Sequence, residues 1–196
     1  MDSERWRLIQ AAEDAAAISD VEFKRLEVEP DWAVELKVVN GDGRGLERQA
    51  NCQRCAVAHE MRMRGFDVVA RLSSVKFDGL WKVKTWLKVF DGGEVVETGG
   101  GNLAEVTARI DAAIAGYGDG ARAVVWYSSR SGHSCHVLVA ERRGGLTRLG
   151  DPQHGLEGAA KCFKRADFGS VKVMRVDGLQ FTALVKRCCE NRGGFF

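Results

Sequence analysis

Residues 49–72 read QANCQRCAVAHEMRMRGFDVVARL, and this stretch decides the fold class. Asn51 is a good helix N-cap residue, and Gly65 stands where a helix commonly ends in a left-handed residue. Residues 52–64 are therefore expected to form a helix with Cys52 in its first turn, and FDVVARL a strand after it. A nucleophilic thiol needs its thiolate form. The first turn of a helix favours that form in general, because unpaired N–H groups and the positive dipole end lie beside the sulfur.

Downstream, the apolar pattern alternates between strands and one further helix. WKVKTWLKVF (81–90), ARAVVWYS (121–128), HVLVAE (136–141), LTRLGD (146–151) and VKVMRV (171–176) all read as strands. Gly144-Gly145 makes a hairpin turn between the third and fourth of these. Asn102 caps a helix to Ala115, with Leu103, Val106, Ile110 and Ile114 as its apolar stripe. FTALVKRCCE (181–190) is expected to be a terminal helix followed by a frayed NRGGFF tail. Helix first and mostly adjacent strands afterwards predict an α+β fold with an antiparallel sheet. Upstream, residues 4–18 have helical spacing and AVELKVV (33–39) reads as a strand, closed by the turn Asn40-Gly41-Asp42-Gly43. The Gly-rich GDGRG is the best internal boundary, so residues 1–48 are expected to be an N-terminal arm and 49–196 the main domain.

Composition narrows the function classes. A chain of 196 residues with 45% apolar and 29% charged residues is that of a globular domain, long enough to need no metal or disulfide for stability. Its 29 basic and 27 acidic residues nearly balance, which is no footprint for nucleic acid, and Arg62–Arg64 and Arg142–Arg143 read as solvated faces. The sequence has no apolar run long enough for a bilayer, and charges stand in Met1–Gln10 where a signal peptide would be apolar. The expectation is synthesis in a reducing cytoplasm, with Cys52, Cys55, Cys135, Cys162, Cys188 and Cys189 as free thiols.

A cysteine nucleophile needs a base and a group to orient that base. His136 opens one strand of the hairpin and Asp151 ends the other, so the pair is placed to meet across the ladder. His133 competes as the base. His59 lies on the Cys52 helix, about 10 Å along its axis, too far for contact. Gln49 and Gln53 are both near enough to help hold an oxyanion, and the residues do not choose between them. The bland alternative makes Cys52 and Cys55 small buried apolar groups. Cys52-x-x-Cys55 also admits a redox pair or half of a zinc site, but the βαβ setting of the first and a second CxxC for the other are missing.

Together, NCQRCAVA…RMRGFDV, HVLVAERRGGLTRLGDPQ and the closing VKVMRVDGLQFTALVKRCCE resemble the papain-fold toxin domains of polymorphic bacterial toxins and of phage minor-capsid-type proteins. The resemblance covers about residues 49–190. It implies a papain-like fold and a cysteine hydrolase, either peptidase or protein glutamine deamidase, that needs no cofactor. Motif for motif, it places the nucleophile on Cys52, the base on His136 and the orienting acid on Asp151. Asn51 matches the residue before the nucleophile, and Gln153 matches a position of structural or binding character; these two with Gln49 are the expected oxyanion or substrate contacts. Cys135 stands where the family commonly has Gly before the base, while Gly132-His133 keeps a Gly-His pair three residues early. Both histidines stay candidates, with the strand pattern favouring His136. The implied partners are a protein substrate and either a phage head or portal protein or a cognate immunity protein. The implied location is a virion or a target cell after delivery. The alternative is a non-catalytic papain-fold module used for binding or assembly in a phage particle.

Overall fold

A computed structural model describes residues 23–41, 45, 48, 50–72 and 88–193. The expected helix at 4–18, most of the strand at 81–90, and Gln49 lie outside the described residues. Helix α1 spans Trp32–Val38 and α2 Cys52–Met63, followed by β1, Val68–Ala70. Then come β2 (Val95–Glu97), α3 (Leu103–Ala115), β3 (Arg122–Ser128), β4 (Cys135–Arg143), β5 (Leu146–Asp151) and β6 (Leu156–Glu157). The chain continues through α4 (Ala159–Cys162), a 3-10 turn, β7 (Lys172–Arg175), α5 (Val185–Cys188) and β8 (Cys189–Asn191). Six strands form one sheet in the order β2-β7-β3-β4-β5-β6, antiparallel throughout, and β1 pairs antiparallel with β8. The α+β expectation with an antiparallel sheet holds.

Strand alternation builds a core on each face of that sheet. Val124, Trp126, Val137, Val139 and Met174 point toward α2 and join Cys55, Ala58 and Met61. Their neighbours Ala123, Val125, Leu138, Ala140 and Val173 point the other way, toward Val106, Ile110 and Ile114 of α3. Each fully buried Val or Ile of this kind contributes about 1.5–3 kcal/mol relative to exposure.

Two expectations are corrected. AVELKVV is helical, not a strand: Asp31 caps it, its carboxylate accepting from the Ala33 and Val34 N–H groups. Trp32, Leu36 and Val39 then fall on one buried face at helical spacing, and Glu35 pairs with Arg62. The terminal helix is only Val185–Cys188. Cys189 turns extended, because Cys189–Asn191 supplies the partner strand for Val68–Ala70, which also takes Asn191 out of the expected frayed tail.

Helix α1 lies so close to β5 that a Cβ on Gly150 would come within 2.6 Å of a Leu36 methyl and 3.2 Å of the Trp32 ring. Both side chains are fully buried and have nowhere to go. Gly150→Ala is therefore expected to cost about 1–3 kcal/mol, read as a lower urea midpoint with unchanged slope.

Candidate active site

Three elements converge. Cys52 is the first residue of α2 and is half-buried. His136 is the second residue of β4, and Asp151 closes β5 on the adjacent strand. His136 Nε2 lies 2.8 Å from Asp151 Oδ2. Cys52 lies near enough to the His136 ring to favour its charged form. With Nε2 committed to Asp151, Nδ1 is the ring nitrogen left for the thiol. Tyr127, cross-strand from His136, packs edge-on against its ring at 5.6 Å and is itself tied by its hydroxyl to the Cys162 carbonyl.

Asp151 is fixed from below. Its Oδ1 accepts the backbone N–H groups of Gln153 (3.0 Å) and His154 (3.3 Å), which leaves Oδ2 to face two imidazoles. The second is His154, whose Nδ1 is also 2.8 Å from Oδ2. Burial would raise the Asp151 carboxyl, but the hydrogen bonds from His136 and His154 outweigh it and hold the group well below the ordinary carboxylate range. For His136, burial opposes the charge, yet the hydrogen bond to Asp151 and the nearby Cys52 sulfur push its pKa up to about 10.

These shifts make stability depend on pH. The raised His136 contributes stability that is full below its unfolded value, about 6.5, and is lost as pH rises through about 10. The depressed Asp151 contributes stability present above its unfolded value, about 3.9, and lost only in stronger acid. In metal-free buffer, the gap in urea midpoint between the native protein and His136→Ala is expected to be larger at pH 6 than at pH 9.

The other expected residues fall as follows. Asn51 occupies the N-cap position but makes no side-chain cap. Its amide is buried and donates to Asn40 Oδ1 at 2.9 Å, while its own oxygen accepts from Gln153 and from the Cys55 thiol. Gln153 is buried too, donating to the Arg48 carbonyl at 3.0 Å. Asn40 completes the lattice by donating to the Gln153 carbonyl at 2.8 Å. These amides lock the start of α2 to the Asp151–Gln153 turn. His133 sits exposed in the turn before β4. His59 is buried edge-on to Trp32 at 4.6 Å, and burial, with nearby Arg122, drops its pKa to about 3. Burial, reinforced by Cys52 and Asp151, pushes the Cys55 thiol well up, so it stays protonated.

Sequence reasoning missed His154, Tyr127 and Asn40. His154 left a readable signal in Asp151-x-x-His154; the other two depend on strand register and loop packing.

Residues 50–156 match the family described as papain fold toxin 1, glutamine deamidase. The chain belongs to this family. No curated protein matches it. The matched span opens just before Cys52 and takes in His136, Asp151, Gln153 and His154. In this papain-fold toxin domain, no helix among the described residues is long and apolar enough to cross a membrane.

Proposed function

We propose that the chain is a protein glutamine deamidase in which Cys52, His136 and Asp151 act together. The supporting observation is the juxtaposition itself: one imidazole bonded to a buried carboxylate and standing beside the thiol at a helix N-terminus, inside the span that matches a deamidase family. Cys52 sulfur attacks the side-chain carbonyl carbon of a substrate glutamine. The oxyanion develops beside the first-turn N–H groups of α2, which Asn51 leaves without a side-chain cap. His136 gives its proton to the departing nitrogen, so the C–N bond breaks, ammonia leaves and a thioester remains. Water then attacks the thioester while His136 takes its proton, and glutamate and the thiol are released. Asn51 and Gln153 serve to position the start of α2 against the Asp151 turn rather than to touch substrate. The toxin role follows from the same reading: the target is a protein of another cell, and an immunity protein would protect the producer.

The test is incubation with candidate target proteins, followed by intact mass and ammonia measurement. Each deamidated glutamine adds about 1 Da, whereas fragments would make the domain a peptidase, since both reactions share the acyl-enzyme route. Iodoacetamide at neutral pH distinguishes both from a binding module: rapid labelling at Cys52 is expected, and labelling no faster than at exposed Cys135 would count against any hydrolase.

A further inference from the structure

We propose that His136, Asp151 and His154 form a zinc site whose occupation inhibits the enzyme. His154 has no part in the deamidation steps, yet its Nδ1 shares Asp151 Oδ2 with His136 Nε2, at 2.8 Å each. The three donor atoms lie within 4.8 Å of one another. Two nitrogens and a carboxylate oxygen are zinc's usual donors, and a tetrahedral ion with bonds of about 2.0–2.2 Å holds its ligands roughly 3.3 Å apart. Reaching that spacing lengthens each 2.8 Å contact to Oδ2 by about 0.5 Å and sets both ring nitrogens facing one point between them. His154, more than half exposed, has the most room for that adjustment, whereas Asp151 and His136 are mostly buried.

The surroundings are those of a ligating carboxylate. Asp151 Oδ1 is occupied by two backbone N–H groups, which aim Oδ2 outward, the kind of outer support that fixes metal ligands. The exposed His154 side leaves the fourth position open to water or a small anion. Cys52 is at the other end of the His136 ring and takes no part. On binding, His136 releases its Nε2 proton and keeps the one on Nδ1, and His154 offers an unprotonated Nδ1 with its proton on Nε2, so both rings bind as neutral imidazoles.

Inhibition, which rests on the deamidase reading, follows directly. Zinc on Nε2 replaces the Asp151 hydrogen bond and leaves the ring's one proton on Nδ1, which then has no lone pair to take a proton from water. The carboxylate's orienting role is lost at the same moment.

Binding is tested without activity, in Cys52→Ala protein, by zinc titration against a chromophoric chelator. One zinc per chain is expected. Adding His154→Ala should weaken binding at least tenfold, and adding Cys135→Ser should leave it unchanged. Cobalt in the Cys52→Ala protein should give a visible d–d spectrum without a sulfur charge-transfer band. A thiolate band, undiminished binding in the His154 variant, or binding lost with Cys135 would each overturn the site. In the native enzyme, zinc should suppress turnover, and His154→Ala should need at least tenfold more zinc for the same fractional loss. A protein that binds zinc as described but shows no deamidation defeats the function and leaves the site standing.

Discussion

In Cys52→Ala protein, ammonia release and the substrate's mass gain are expected to fall by at least about 10⁴-fold, while the melting temperature stays within a few degrees. The chemical half of this expectation is simple. Without sulfur there is no thioester, and His136 has no nucleophile to serve; an activated water is a poor substitute. The structural half rests on where Cys52 sits. It is the first residue of α2, half-buried, and only its sulfur is removed. Alanine is the best helix former, so the start of α2 is not weakened. The hold on that start comes from Asn51, Asn40 and Gln153, which the substitution does not touch. His136 keeps its bond to Asp151. Residual turnover near the native rate would move the nucleophile elsewhere.

Asp151→Asn is expected to lower kcat by about 10³–10⁴-fold with little change in KM, measured on the glutamine substrate found by mass. The reason lies in which oxygen does what. Oδ1 accepts two backbone N–H groups, from Gln153 and His154, so an asparagine must put its carbonyl oxygen there. Its NH₂ then faces His136 Nε2, where the carboxylate now accepts. A donor in that place forces Nε2 to be the acceptor and puts the ring proton on Nδ1, toward Cys52. The imidazole is then in the wrong tautomer to take a proton from water, and the imidazolium loses its counter-charge. The fold should survive, because the two backbone bonds remain. A variant with normal kcat would show that Asp151 only braces the hairpin.

How much was legible depended on whether a signal was local. Helix α2 and the β4–β5 hairpin were readable because Asn51, Gly65, Gly144-Gly145 and the apolar spacing all agree within a few residues. Placing His136 beside Asp151 followed from that hairpin. Helix α1 was not readable, because AVELKVV satisfies alternation and helical spacing equally over so short a span. What decides it is the Asp31 cap and the burial of Trp32, Leu36 and Val39 against distant residues. The end of FTALVKRCCE was misread for a similar reason: β1 needs a partner strand, and that demand is invisible from the terminal residues alone. Asn51 was recognised as a cap by type, yet its side chain serves a buried amide lattice with Asn40 and Gln153, residues from far along the chain. His154 is harder to read because it shares Asp151 Oδ2 with His136 through a turn that carries only the Asp151-x-x-His154 spacing as a signal.

The pairing of β8 with β1 has a consequence in time. As the chain leaves the ribosome, Cys52 emerges early, His136 and Asp151 much later, and the strand that closes against Val68–Ala70 last of all. Helix α2 rests on Val185, Cys188 and Cys189, so its final support does not exist until the other described elements have been made. A nascent or interrupted chain therefore presents a thiol with no organised base beside it. On the deamidase reading, the thiol, its base and the support of α2 are complete together only after synthesis has reached β8.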